Sequence, residues 1–201
     1  MGFWLRNPNP VDGVTGYTWI IDPLDGTRNY VTGIPFFSLV IALAYEGEVV
    51  FGLTYDPIRQ EMFHALRGEG SYLNNVAIYT SGKNDIKDAL LGYDLGGLDQ
   101  KASTAIEMIL YLWPQLQGTR ILGSSALGLA YISCGRLDIY LHHNLSVWDS
   151  ASGILLVREA GGVVMDKHNV SGGLIDGGII AANPSLHQGF LDATTGLAWR
   201  T

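Results

Sequence analysis

Residues 19–57 read WIIDPLDGTRNYVTGIPFFSLVIALAYEGEVVFGLTYDP, and this stretch decides the class of fold. The residues up to Asp22 read as a short strand, and DPLDG then breaks it, because Pro fixes φ and Gly permits tight turns. From 36 to 46 the chain reads as a long strand. Phe37, Leu39, Ile41, Leu43 and Tyr45 fall on one face, and Val40, Ala42 and Ala44 on the other. Both faces are apolar, so both are expected to be covered. EGE at 46–48 is a hairpin signal, and VVFGLTYD and EMFHAL follow as strands separated by PIRQ. The pattern predicts an antiparallel meander.

Beyond it the character changes. SGKNDIKD at 81–88 is polar and poor in apolar residues, the composition of a domain boundary. The expected division is a partial antiparallel-sheet domain over 1–82, carrying a metal-binding loop, and an α/β domain over 83–201. In the second part strands at 89–94 and 137–142 alternate with helices at 102–117, 125–133 and 149–160. Ile106, Ile109, Leu110 and Trp113 give the first of these its helical spacing. Two strands, GGVVMD and GGIIAAN, and a helix from Pro184 complete the chain. The fold class is α/β of the α+β kind.

Composition narrows the function. With 201 residues, 47% hydrophobic and 15% charged, the chain can bury a core, which argues against disorder. The net charge is −7 and no dense basic run occurs, so a nucleic-acid partner held through its phosphates is not expected. A small anionic substrate stays open, because a metal ion can supply local positive charge. The single cysteine, Cys134, reads as packing at a helix end. The longest near-apolar stretch, 34–45, is too short to span a bilayer. A cytoplasmic protein with no membrane partner is the expectation. His64 and His168 receive no role, and His187 is placed on a solvated helix surface.

Two segments carry chemistry. Asp22 and Asp25 flank Pro23 and Leu24 at a strand end, so two carboxylates and the Leu24 carbonyl share one turn. Hard Mg²⁺ takes such oxygen ligands. A plain Asx-Pro turn explains the same residues. If a helical turn begins at Gly26 and Thr27, its N–H groups point at an anion, and the Thr27 hydroxyl is available to orient a water. The second segment, VWDSASGILLVREAGG at 147–162, starts a helix at Asp149, which reads equally as an N-cap. Taken together, three aspartates at two element ends suit a pair of divalent ions, the arrangement for in-line displacement at phosphorus.

Residues 19–57 resemble the first signature of the inositol monophosphatase family, and WDSASGILLVREAGGVVMD resembles its second, with RILGSSALGLAYISCGRLDIYL between them also in the family pattern. The resemblance runs from about Gly16 onward. It implies a layered α/β/α/β/α sandwich of the inositol monophosphatase and fructose-1,6-bisphosphatase type, and Mg²⁺-dependent, lithium-sensitive hydrolysis of a phosphate monoester. By resemblance Asp22 bridges two metals, the Leu24 carbonyl helps hold the first, and Asp25 and Asp149 help hold the second. Gly26 and Thr27 N–H groups contact the phosphate. Thr27, with Asp25, positions the attacking water. Gly123 and Ser124 line the alcohol portion. Asp25 and Asp149 also face the substrate.

The sequence departs from that pattern in two places. Family members carry a Glu-Glu pair ahead of the first signature, after two N-terminal helices, whereas MGFWLRNPNPVDGV holds no Glu, and Asp12 does not inherit the role. The expectation is a shortened version of the fold with an open apolar sheet face. Many inositol-specific members also place an acid a few residues before the Trp-Asp pair. Here His142 falls there, in LHHNLSVWD, and with His143 it either touches the substrate or ends a strand. The expected substrate is inositol-1-phosphate or a related sugar or polyol phosphate. Fructose-1,6-bisphosphatase, histidinol-phosphatase and 3′-phosphoadenosine nucleotidase activities are the rivals within the superfamily. A catalytically defective fragment or binding protein is the rival outside it. Family resemblance also implies a homodimer. No G-x-G-x-x-G follows a strand, which sets dinucleotide binding aside.

Overall fold

The hairpin signal at 46–48 is a tight turn in which Glu46 and Gly47 both take positive φ, 50° and 78°. Such turns match the twist of the strands they join. The computed structural model describes residues 16–96, 100–170, 174–175 and 177–200. The expected meander is a six-stranded antiparallel sheet in sequential order. Its strands are β1 (Tyr17–Asp25), β2 (Ser38–Tyr45), β3 (Glu48–Asp56), β4 (Glu61–Leu66), β5 (Gly70–Leu73) and β6 (Val76–Ile78), with helix α1 (Thr27–Thr32) between β1 and β2. The last two strands are too short to have shown a period in the sequence.

DPLDG does not end β1, as its turn residues suggested. Asp22 pairs with Val40 and Asp25 with Ser38, so one extra residue is bulged out between them. Pro23 sits in this bulge on an edge strand, where its missing N–H costs no ladder bond.

The second sheet has five strands in the order β10-β11-β9-β7-β8. They are β7 (Leu90–Asp94), β8 (Gly118–Ile121), β9 (Ile139–Leu145), β10 (Val163–Asp166) and β11 (Gly177–Ala182). β7 runs parallel to both β8 and β9, while β11 runs antiparallel to β9 and β10. Four further helices are α2 (Gln100–Leu112), α3 (Ser125–Ser133), α4 (Val147–Glu159) and α5 (Pro184–Ala193).

Side-chain alternation along β9 shows how these layers stack. Ile139 and Leu141 join one core with Met108, Ile109 and Leu112 of α2 and Leu186 and Phe190 of α5. Tyr140, between them, points the other way into a core with Leu129 and Ile132 of α3 and Ile154 and Val157 of α4. The opposite side of α4 packs Ala151 and Leu155 against Ile20, Ala42 and Phe63 of the six-stranded sheet. The order is therefore sheet, α3/α4, sheet, α2/α5. The α3/α4 layer is buried on both sides, which accounts for the nearly all-round burial of α3.

The expectation that β2 is covered on both faces is corrected. The inner face of β2 is the small one. Val40, Ala42 and Ala44 are fully buried, because α4 approaches closely, and a Cβ on Gly52 would sit 2.9 Å from the Ser152 carbonyl oxygen. Among the described residues the outer face stays largely open to solvent, with Trp19 49% and Tyr45 45% exposed. The helix expected over 102–117 ends earlier, at Leu112, with Trp113–Gln115 in a 3-10 turn. Of the residues that gave its spacing Ile109 is buried, with Ala105, Met108 and Leu112, while Ile106, Leu110 and Trp113 face water. His187 is also buried, inside α5, and is not solvated. Among the described residues no helix is long and apolar enough to cross a membrane.

Candidate active site

The bulge at the end of β1 turns Asp22 and Asp25 inward, and both are buried. Asp22 Oδ1 accepts the Leu24 N–H at 3.0 Å, so the Asx turn is real and coexists with the cluster described below. Gly26 follows with φ +83°, and a Cβ there would lie 3.1 Å from the Phe36 carbonyl oxygen and 3.2 Å from that of Gly123. Only glycine makes this corner into α1. The Thr27 hydroxyl donates to the Leu24 carbonyl at 2.8 Å, which leaves its lone pairs free to accept.

Asp149 comes from the start of α4. The N-cap is Ser146, and Asp149 stands in the first turn with its carboxylate accepting the Ser146 N–H at 3.3 Å. Small residues let this helix end approach. A Cβ on Gly153 would lie 2.5 Å from Leu129, and Ser152 bonds Thr54 of β3 at 2.9 Å. The close packing brings carboxylate oxygens of Asp22, Asp25 and Asp149 within 4.8 Å of one another.

Three carboxylates so close repel one another. Burial, and then the neighbouring Asp25 and Asp22 charges, push Asp149 up to about 7. Burial is also the largest cause at Asp25, which rises to about 6 even though Ser124, Ser125 and Ala126 donate to it and Asp22 adds repulsion. Such a set must take up protons or a cation. Its all-oxygen, anionic character fits a hard divalent ion such as Mg²⁺.

Asp25 links this cluster to a cavity of about 520 Å³. Both of its oxygens accept: Oδ2 from the Ser124 hydroxyl, the Ala126 N–H at 3.2 Å and the Ser38 hydroxyl at 3.3 Å, and Oδ1 from the Ser125 hydroxyl at 3.0 Å. Asp25, Gly26, Thr27, Gly123, Ser124 and His142 all line the cavity, while Asp22, Leu24 and Asp149 do not. His142 is buried, and its Nδ1 accepts the Asn144 N–H at 3.1 Å. Burial, with His143 beside it, lowers its pKa to about 3. His143 points to the other side of β9, where Trp199 Nε1 donates to its Nδ1 at 3.0 Å.

Sequence reasoning missed Asp94 and Arg28, which also line the cavity. Asp94 ends β7. Its Oδ1 accepts N–H groups of Gly123 at 2.8 Å and Leu122 at 3.3 Å, and its Oδ2 accepts the Tyr140 hydroxyl at 2.9 Å. Burial raises its pKa against these donors. The available signal was an acid at the carboxyl end of a parallel strand, the place where open α/β sheets bind ligands.

Comparison with known proteins places this geometry. Residues 7–197 match the model of the inositol monophosphatase family. The chain is 35% identical to an inositol-1-monophosphatase of Mesorhizobium japonicum, over 96% of this chain and 73% of that protein. It is 43% identical to the Nus factor SuhB of Haemophilus influenzae, over 82% of this chain and 62% of that protein. The chain thus spans between six-tenths and three-quarters of the length of these two relatives. Among solved structures it superposes on the SuhB protein of Bartonella henselae with a TM-score of 0.87 at 34% identity, covering 97% of this chain and 77% of that one. The inositol monophosphatase of Anabaena gives 0.85 at 33%, covering 94% and 75%.

Proposed function

The chain belongs to the inositol monophosphatase family, and from that premise we propose that it hydrolyses a phosphate monoester of a sugar or polyol with Mg²⁺ as cofactor. The convergence of Asp22, Asp25 and Asp149 within 4.8 Å carries the reading. Divalent ions bound there supply positive charge and a water of lowered pKa. Asp22, Asp25 and Asp149, with the Leu24 carbonyl, would hold them.

The remaining residues orient and bind. Thr27 has its proton committed to Leu24, so its oxygen accepts from the attacking water and aims it. The N–H groups of Gly26 and Thr27 contact the phosphate, and preorganised donors of this kind stabilise the charge that develops in transfer. Gly123, Ser124 and His142 border the alcohol portion. No protein nucleophile is required, and metal ions and donors do most of the work in phosphoryl transfer. A cytoplasmic homodimer belongs to the same reading. A non-catalytic role, in keeping with the Nus factor name of the SuhB relatives, is the second reading; the three-aspartate cluster favours catalysis.

The test is Mg²⁺-dependent phosphate release from inositol-1-phosphate by this chain and by Asp22→Asn. We expect the variant to lose at least about a hundredfold in kcat, the scale of removing a transition-state contact. Equal Mg²⁺-dependent rates in the two proteins would sink the assignment.

A further inference from the structure

Two walls of the cavity come from different sheets. The Gly26–Thr27 corner follows the end of β1, whereas the Gly123–Ser124 turn joins β8 to α3. A substrate held at its phosphate by one and at its alcohol by the other needs the distance between them fixed.

Asp94 holds the Gly123 N–H, but from β7, within the turn's own sheet. Asp25 crosses between the walls by taking the Ser124 and Ser125 hydroxyls, yet in the reading above the same carboxylate also serves the metal ions. Asn29 crosses as well, and it is neutral. It stands on α1 two residues after Thr27 and is buried. Its Nδ2 donates to the Phe36 carbonyl at 2.8 Å, on its own side, and to the Leu122 carbonyl at 2.9 Å, 93 residues away. Both amide hydrogens are thereby used on backbone.

The fit around this amide is close. Gly123 takes φ +74°, and a Cβ there would lie 2.8 Å from both the nitrogen and the oxygen of the Asn29 amide. The Phe36 and Gly123 carbonyl oxygens also flank Gly26, 3.1 and 3.2 Å from where its Cβ would stand. Corner, loop and turn thus meet at Asn29. An aspartate of the same shape would set an acceptor against two carbonyls, and an apolar side chain would leave both without this donor.

We propose that Asn29 is a positioning residue: it holds the Gly123–Ser124 turn at a fixed distance from the Gly26–Thr27 corner, so that turnover of a substrate spanning both depends on it while phosphate binding at the corner does not. The assignment rests on the phosphomonoesterase reading above and gives Asn29 no contact with the substrate.

The experiment uses the unaltered chain, Asn29→Ala, Asn29→Ser and Thr32→Ala. The Thr32 hydroxyl donates to the Arg28 and Asn29 carbonyls, so its removal loosens α1 without touching the turn. Backbone amide exchange without Mg²⁺ is followed in peptides spanning residues 118–127. It should quicken about tenfold in Asn29→Ala, less in Asn29→Ser, which keeps one donor, and stay unchanged in Thr32→Ala. With Mg²⁺, kcat for inositol-1-phosphate should fall about ten- to a hundredfold in Asn29→Ala. The inhibition constant of inorganic phosphate should stay within about twofold, because the corner itself is intact. Thr32→Ala should move neither constant beyond about twofold. Unchanged exchange over 118–127 in Asn29→Ala, a kcat equal to that of Thr32→Ala, or phosphate inhibition that weakens in step with kcat overturns the proposal. If Asn29→Ala does not fold, Asn29→Ser is judged by the same three outcomes. If the unaltered chain leaves inositol-1-phosphate uncleaved, the phosphatase reading fails by itself. Exchange over 118–127 then decides alone: quickened exchange supports the hold of Asn29 on the turn, and unchanged exchange overturns it.

Discussion

Asp25 and Asp94 line the same cavity, both are buried, and burial raises the pKa of both. Their neighbourhoods differ. Asp94 is alone among donors: two N–H groups and the Tyr140 hydroxyl settle its charge. Asp25 has donors too, but it also has Asp22 and Asp149 within reach. The protein itself balances the first carboxylate, whereas the second belongs to a group whose charge only protons or a cation can balance. A buried acid is therefore structural or functional according to whether its own fold finishes the accounting.

Asp149→Asn gives the strongest test of that contrast. An acid whose pKa rises on folding binds more protons when folded than when unfolded between the two values. Stability then falls as pH climbs through that window. For Asp149 the window runs from 3.8 to about 7. Without metal, the unaltered chain should lose stability from pH 5 to 8 relative to Asp149→Asn. The gap at pH 8 should be roughly 1–2 kcal/mol, after discounting for solvent around a half-buried group. Mg²⁺ should reverse the order, because the variant has lost a ligand and binds the ion on the order of a hundredfold more weakly. In the unaltered chain, Mg²⁺ affinity should fall as pH drops below about 7, because the carboxylates must ionise to bind. Denaturation midpoints at pH 5 and 8, with EDTA and with Mg²⁺, check all of this, and parallel curves for the two proteins would remove the distinction.

Asp94→Asn comes next. The amide keeps one acceptor and turns an NH₂ toward either Tyr140 or the Gly123 and Leu122 N–H groups. At least one buried donor is then unmatched, at a cost of about 2–3 kcal/mol. The Gly123–Ser124 turn loses its anchor, and Ser124 in turn holds Asp25. We expect kcat/KM to fall about tenfold with Mg²⁺ affinity changed less than in Asp149→Asn. A loss of Mg²⁺ affinity as large as that of Asp149→Asn would place Asp94 in the metal group after all.

The contrast also explains which residues the sequence disclosed. Asp22, Asp25 and Asp149 each sit in a local motif, a strand-end turn or a helix start, so their neighbours in sequence mark them. Asp94 draws its meaning from Gly123 and Tyr140, 29 and 46 residues away, and no local pattern contains them. The fold shows the same division. Hairpin and turn signals between apolar runs placed the meander, because such signals are local. The face of β2 that packs could not be read from size, since Val40, Ala42 and Ala44 turn inward to admit α4 while Leu39 and Tyr45 turn out. In α2 apolar residues occur on both sides, and only the partner layer selects Ala105, Met108, Ile109 and Leu112 as the buried ones.

Tyr140→Phe should have the smallest effect. The ring is fully buried, and Gly92 and Gly128 make room for it: a Cβ on Gly128 would lie 2.3 Å from the ring. Phe therefore keeps the packing and removes only the donor to Asp94. A hydrogen bond to a charged group is worth about 1.5–3 kcal/mol. The low end applies here, because the Gly123 and Leu122 N–H groups still serve that carboxylate. Tyr140 is one of the donors that pull the Asp94 pKa down against burial, so its removal moves that pKa further up. A raised acid costs stability when ionised. The deficit of the variant should therefore grow as pH rises and shrink in acid, with kcat/KM within about threefold of the unaltered chain at neutral pH. A deficit independent of pH would mean that Asp94 is already protonated beside Tyr140, and the line drawn between the two carboxylates would then disappear.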